Sequence, residues 1–293
     1  LVHDKTVGSR LLDIFIYCSL TIFALITFLP FVHVVAGSFA TVEEMLQRQF
    51  ILLPTKFSLD AYRYIFSTDT IFRALLVSIG ITAVGTLVSM TLTSMMAYGL
   101  SRRDLYGRRT LIFLVVFTMM FSGGMIPTFL VVKWMGLLDS YPAMILPSAI
   151  SAFNLIILRN FFQNIPDGLE ESAKIDGCND FGILWRIVLP LCLPAIATIS
   201  LFYAVSYWNM FQQAVLYIDD SEKWPIQVLL RQIVIVSSGL QADTSELGGD
   251  FVPPPEHTIK MAVVVVATLP ILIVYPFLQK HFAKGALLGS IKG

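Results

Sequence analysis

The chain has 293 residues, 56% of them hydrophobic and only 14% charged, with mean hydropathy +0.76 and a formal net charge of zero. A water-soluble domain averages about 45–50% apolar and about 25% charged residues, so both departures point to a membrane protein. The charge balance offers nothing to a nucleic acid. Three cysteines in unrelated contexts (Cys18, Cys178, Cys192) and four scattered histidines exclude a disulfide framework and metal-ligand spacing.

Charge-free stretches divide the sequence: 14–42, 74–101, 110–132, 140–158, 187–218 and 261–279. About 20 apolar residues cross a hydrocarbon core of roughly 30 Å as a helix. The stretches therefore predict an all-α membrane protein in a lipid bilayer, with six transmembrane helices at about 11–38, 74–100, 110–132, 140–160, 187–214 and 260–280. A single domain then covers 1–293. The first stretch follows Lys5 and Arg10, is too long for a signal peptide and lacks a small-residue cleavage site, so it reads as a retained anchor. Six spans put both termini on one side. The larger share of the 20 Lys and Arg residues falls on that side, including Arg102, Arg103, Arg108 and Arg109 in the short loop after span two. The positive-inside rule makes that side cytoplasmic.

The first external loop carries a predicted short helix at 59–66, whose Tyr62, Tyr64 and Phe66 suit an interfacial position. Span two holds Ser78, Gly80, Gly85, Ser89, Thr93 and Ser94, small residues that let helices approach closely; helix packing and substrate contact are both open. Span three contains Gly123-Gly124 followed by Pro127, which breaks a helix. Two readings stand there: a hinge beside the pathway, with Met120, Phe121 and Met125 as an apolar gate, or a helix end at the external surface. Span four carries Ser151 and Asn154, and Asn154 faces either another helix or a wet pathway, since a lone amide in hydrocarbon is costly.

Between spans four and five lies a charged segment, 166–186. Pro166 precedes Asp167, Glu170 and Glu171, acids that the positive end of a helix stabilises. Gly177 stands where that helix would stop in a left-handed cap, and Asn179 or Asp180 can cap a second helix running through Phe181, Leu184 and Val188. The pattern predicts a helix–turn–helix elbow on the membrane surface. Span five then starts with a kink at Pro190 and Pro194 and reaches Tyr207-Trp208-Asn209. Aromatic rings beside amides either form a sugar site or belong to the interfacial aromatic belt or to a helical extension beyond the bilayer.

In the second external loop, Trp224-Pro225 predicts a helix over 226–237 that breaks at Gly239. An irregular acidic stretch follows (Asp243, Glu246, Asp250, Glu256), either solvated or facing an external partner. The basic, glycine-punctuated tail 281–293 is too apolar for a disordered stub and is expected to dock.

No HExxH, GxSxG or Walker A pattern occurs, so no catalytic set and no metal site is predicted. No acid or base sits well inside a span, which argues against ion-coupled transport, and no such Lys or Arg is available to neutralise an anionic cargo. Energy would have to come from outside the membrane, and the elbow is the place to receive it.

Glu171-Ser172-Ala173, then Gly177, then Ile187-Val188-Leu189-Pro190 closely resembles the coupling loop of permease subunits of bacterial ABC importers. That pattern is Glu-Ala-Ala, three residues, Gly, nine residues, Ile-x-Leu-Pro; the one departure is Ser172. The span order and the place of the loop extend the resemblance along nearly the whole chain. The tail, Tyr275-Pro276-Phe277 through Gly289-Ser290, resembles that of the maltose-type carbohydrate branch, among permeases for complex oligosaccharides that include alginate importers.

The resemblance implies a type I importer permease fold in the bacterial inner membrane. It implies a second homologous permease, two ATPase subunits, and a periplasmic or extracellular solute-binding protein delivering an oligosaccharide. ATP and Mg would sit on the ATPases, with no cofactor on this chain. Glu170, Glu171, Ser172, Ala173, Asp176 and Gly177 would dock on an ATPase, Glu171 against a basic residue, while Ile187, Leu189 and Pro190 pass the motion into span five. Met120, Phe121, Ser151, Asn154, Tyr207, Trp208 and Asn209 are the candidate pathway residues. A permease for a non-sugar solute is the alternative; a membrane enzyme or scaffold would need a catalytic cluster.

Overall fold

The computed structural model describes residues 7–48, 50–67, 69–237 and 257–290, and among them there is helix but no strand. The predicted acidic stretch with Asp243, Glu246, Asp250 and Glu256, the stop at Gly239, Lys5 and the last residues of the tail lie outside the described residues. Packing divides the chain into two compact units. One takes the chain up to Asp69 together with Leu230–Thr268; the other takes Thr70–Leu229 and the chain from Leu269.

In the first unit, α1 (Val7–Ser38) continues through Pro30. It is followed by α2 (Val42–Gln47) and α3 (Asp60–Ser67). The Glu44 carboxylate on α2 accepts the Thr55 N–H at 2.9 Å and the Lys56 N–H at 3.3 Å, folding the loop back on its own helix. Those bonds, with Arg48 adding to them, hold its carboxyl below the usual carboxylate range. Tyr62 is not presented outward as an interfacial ring: it stacks on Phe39 and bonds to the Ser38 hydroxyl at 2.8 Å.

The second unit is built on α4 (Asp69–Ser101), 33 residues or about 50 Å of helix. Its buried face is a line of small residues: Ser78, Gly85, Ser89, Thr93, Ser94 and Ala97. Gly80 faces open space instead. Next come α5 (Arg108–Met120) and α6 (Met125–Trp134), bent by 115° at the Gly123-Gly124 break. α7 (Tyr141–Ile145) and α8 (Ala152–Gln163) meet at 55° around Pro147. α9 (Asp167–Ile175), α10 (Asp180–Ile183) and α11 (Leu189–Leu191) form the elbow. α12 (Leu193–Trp208) leaves it at 90°, and α13 (Gln212–Tyr217) follows. α14 (Ile226–Ser237) and α15 (His257–Ser290) belong partly to each unit, α15 continuing through Pro270 and Pro276 and on past residue 281.

Three of the predicted spans are therefore not single helices. The 110–132 segment breaks where Gly124 takes φ +85, the 140–160 segment breaks between Ser148 and Ser151, and the 187–214 segment bends at Cys192 and ends at Trp208. Among the described residues, α1 and α4 are the two single helices long and apolar enough to cross a membrane; the bent pairs raise the number to five, and a shorter apolar helix, Thr258–Val274, stands apart.

Candidate functional site

The elbow starts at Pro166, whose fixed φ suits the residue before a helix and whose missing N–H costs nothing there. α9 has two faces. Inward, Glu170 and Ala173 are buried; outward, Glu171, Ser172, Asp176 and Gly177 are exposed, and Ile175 is 86% exposed at the tip. The Glu170 carboxylate pairs with the Arg102 guanidinium from the end of α4, and that guanidinium lies over the Tyr98 ring at 4.2 Å. Arg103 reaches Asp167 at 3.9 Å beside it. Glu170 is thus held within the chain, against the end of α4. Ser172 donates its hydroxyl to the Gly168 carbonyl at 2.8 Å.

The turn closes on a left-handed Gly177 at φ +83. The Gly177 N–H donates to Lys174 C=O at 3.0 Å and the Cys178 N–H to Ala173 C=O at 2.9 Å, the paired bonds of a Schellman cap. Asn179 caps α10 by accepting the Gly182 N–H at 2.8 Å, and Lys174 reaches Asp180 at 3.6 Å across the turn. Ile183, Leu184 and Val188 are buried behind it. From Leu184 to Val188 the backbone widens into a π turn: the Leu189 N–H reaches Leu184 C=O, because Pro190 has no N–H to continue the normal ladder. Ile187 and Leu189 are half-buried and Pro190 is exposed just before the 90° bend. A polar cleft of about 460 Å³ separates α9 from the end of α4, lined by Ser101, Arg103, Gln163, Asp167 and Glu171.

The seven candidate pathway residues do not form one site. Met120 and Phe121 are 76% and 62% exposed at the α5–α6 break, with Phe121 stacked on Phe117. Asn154 is buried in α8, capped by Ser151. Tyr207 and Trp208 are buried within the chain. Tyr207 lies over Gly85, where a Cβ would sit 2.9 Å from its ring, and its hydroxyl bonds Ser89 at 2.8 Å. Asn209 is exposed but its amide already donates to the Val205 carbonyl at 2.8 Å.

Sequence reasoning missed Tyr203, whose hydroxyl bonds Thr93 at 2.7 Å and accepts the Ser151 N–H at 2.9 Å. These two tyrosines tie α12 to α4 and to the start of α8, each bond worth about 0.6 kcal/mol on average between membrane helices. It also missed Arg102 as the partner of Glu170, for which no local signal exists. Ile175 did carry a signal, as an apolar residue inside a charged run. Among the described residues no group of His, Cys, Asp and Glu is placed to hold a metal ion.

The chain is 73% identical over 285 residues, 97% of its length and 99% of the relative's, to the polygalacturonan/rhamnogalacturonan transport system permease protein YtcP of Bacillus subtilis strain 168. It is 30% identical over 244 residues, 82% of the chain and 81% of the relative, to the arabinooligosaccharides transport system permease protein AraQ of the same organism. Its fold matches a chain of the crystal structure of a bacterial ABC transporter involved in the import of the acidic polysaccharide alginate, with TM-score 0.87 and 33% identity over 95% of this chain and 99% of that one. Residues 89–287, which contain the whole elbow, match the family described as the binding-protein-dependent transport system inner membrane component. The chain belongs to that family of inner-membrane transport components.

Proposed function

We propose that the chain is one of two permeases that together form the path for oligosaccharides or polysaccharide fragments in an ATP-driven importer. The observation that carries the cargo is the end-to-end 73% identity to a polygalacturonan/rhamnogalacturonan permease, with 33% identity to an alginate-importer chain alongside it. A solute-binding protein delivers the saccharide, in keeping with the family's description. The charge of an acidic fragment is then read largely by that protein or by the second permease. The chain acts as a single non-catalytic membrane domain, with six crossings once α15 and the bent pairs count as one each, and with both termini in the cytoplasm. ATP and Mg are handled by two separate ATPase subunits.

The elbow is the contact with an ATPase. Its exposed face is acidic and carries an apolar tip, Glu171 and Asp176 beside Ile175, which suits a groove with a basic rim. Its other face is clamped to α4, so a push on the tip moves the helix ends behind it. Glu171→Lys should abolish uptake of labelled oligogalacturonides by whole cells while leaving the amount of chain in the membrane unchanged. Undiminished uptake in that variant would refute the docking role. Wild-type cells that take up no oligogalacturonide, yet gain uptake of another solute through the same subunits, would refute the cargo.

A further inference from the structure

Outside the elbow, a cleft of about 460 Å³ is lined by Arg103, Arg108, Arg109 and Arg159, with Leu105 and Ile112. The left-handed Gly107, at φ +74, turns the chain so that arginines on both sides of the loop border it. Arg108 and Arg159 each donate an Nε–H to the same carbonyl, Leu100, at 3.1 Å, so two like charges are held close together. Among the described residues only Arg103 of the four has an acid at ion-pair distance, Asp167 at 3.9 Å. A cluster of this kind binds an anion, and phosphate oxygens match guanidinium geometry best.

Leu105 also lines a second, apolar cleft of about 590 Å³, bordered by α4 at Met96 and Leu100, by α5 at Leu111, Leu114 and Val115, and by α8 at Leu155. On α5, Arg108, Leu111, Val115 and Thr118 follow one another at helical spacing, so one face carries a guanidinium at one end and an apolar groove along the rest. The rise from Arg108 to Thr118 is about 15 Å, which matches one leaflet of a hydrocarbon core of about 30 Å. A free phosphate would use the first cleft alone; two clefts that share Leu105 as a wall, one cationic and one apolar, suit a ligand with a charged head and an acyl chain.

We infer that this paired cleft is a binding site for an anionic glycerophospholipid, its phosphate among the four arginines and one acyl chain along α5 and α8. The site is independent of the cargo, so failure of the saccharide reading would leave lipid retention untouched. The test is native mass spectrometry of the full chain purified with its partner subunits after exchange into phosphatidylglycerol or phosphatidylcholine. Phosphatidylglycerol should be retained in preference to phosphatidylcholine. Arg103→Gln combined with Arg109→Gln, which leaves both bonds to Leu100 in place, should lower that retention at least about tenfold. Leu114→Trp, at a half-exposed position in the apolar cleft, should lower it without removing charge.

Equal retention of the two lipids, or wild-type retention in both variants, would overturn the proposal. Displacement of the lipid by millimolar inorganic phosphate would reduce the site to a plain anion site. Loss of the second permease from the arginine variant, with lipid retention unchanged, would make the face a subunit interface instead.

Discussion

Gly177 and Gly124 are two versions of one local device in very different settings. Both have positive φ, at +83 and +85, and the chain changes direction at each. Around Gly177 the turn is bound on every side: the two cap bonds, the Asn179 cap, the Lys174–Asp180 pair, and Glu170 clamped to Arg102 behind them. Around Gly124 the bonds are local: the Gly124 N–H donates to the Ser122 hydroxyl at 3.2 Å, and the Thr128 hydroxyl donates back to the Gly124 carbonyl at 2.8 Å. The flanking Met120, Phe121 and Met125 are all more than half exposed, and one amide, Gln212, reaches the Met125 sulfur. A turn that must transmit a force has to be stiff and attached to the body behind it. A turn that must yield needs neither. By that criterion we propose the elbow as a lever and the α5–α6 break as the compliant point of the same unit.

The largest effect expected from this contrast comes from removing the clamp. Arg102→Ala leaves Glu170 buried without its counter-charge, which costs about 3–5 kcal/mol for a buried pair broken on one side. The melting temperature of the purified complex should fall clearly. Arg102→Met combined with Glu170→Leu should recover most of the loss, because an apolar pair of similar size needs no charge balance. An unchanged melting temperature in the single variant would mean that α9 is not held to α4 by this pair.

A smaller and sharper test uses the two glycines as a matched pair. A Cβ at Gly177 meets nothing within 4 Å, and at Gly124 only the Pro127 ring at 3.9 Å, so alanine at either site introduces backbone strain and little else. The cost is about 1–2 kcal/mol at Gly177 and about 1–3 kcal/mol at Gly124, whose φ +85, ψ 171 conformation is close to glycine-only. Stability should therefore fall similarly in both. Stimulation of ATP hydrolysis by the loaded binding protein should fall mainly in Gly177→Ala if, as proposed, that turn alone carries the force from the ATPase. Equal loss of stimulation in the two variants would erase the distinction between lever and compliant point.

How far each of these features could be read from sequence follows from how local its cause is. The Gly177 turn, the Asn179 cap and the start of α14 behind Trp224-Pro225 depend on residues within a turn of one another, and they stand where the sequence puts them. Gly123-Gly124 marked a break but not its 115°, and Pro190 and Pro194 marked a kink but not 90°, since an angle is set by what the two halves pack against. The Arg102–Glu170 pair joins distant segments and left no trace in either. The packing of Tyr207 against α4 was illegible for a related reason. In a helix that is apolar all round, no polar stripe marks which face is buried. The only hint was on the other helix, where Gly85 and Ser89 leave room for a large ring with a hydroxyl at its end.

The smallest effect belongs to a third turn, between α6 and α7, which extends the comparison to a non-glycine residue. Asp139 is left-handed at φ 57, an uncommon state for any residue with a side chain. Its carboxylate accepts from Lys223 Nζ at 2.7 Å and from the Asp220 N–H at 3.1 Å. The Lys223 bond, and then the Asp220 bond, hold the Asp139 carboxyl below the usual carboxylate range. A carboxyl whose folded pKa is depressed contributes stability that is fully present above its unfolded value, about 3.9, and loses it as pH falls through the lower folded value. Lys223 is raised by the same contact, so its share is present below the ordinary lysine range and is lost only at higher alkaline pH. Around neutrality the turn should therefore be insensitive to pH. Below about pH 4 the melting temperature of the wild-type complex should fall more steeply than that of Asp139→Asn, which has no charge to lose. Parallel acid limbs for the two proteins would show that the charge on Asp139 does not stabilise this turn, leaving its left-handed backbone to be held by the Asp139 N–H bond to Tyr217 C=O at 2.7 Å.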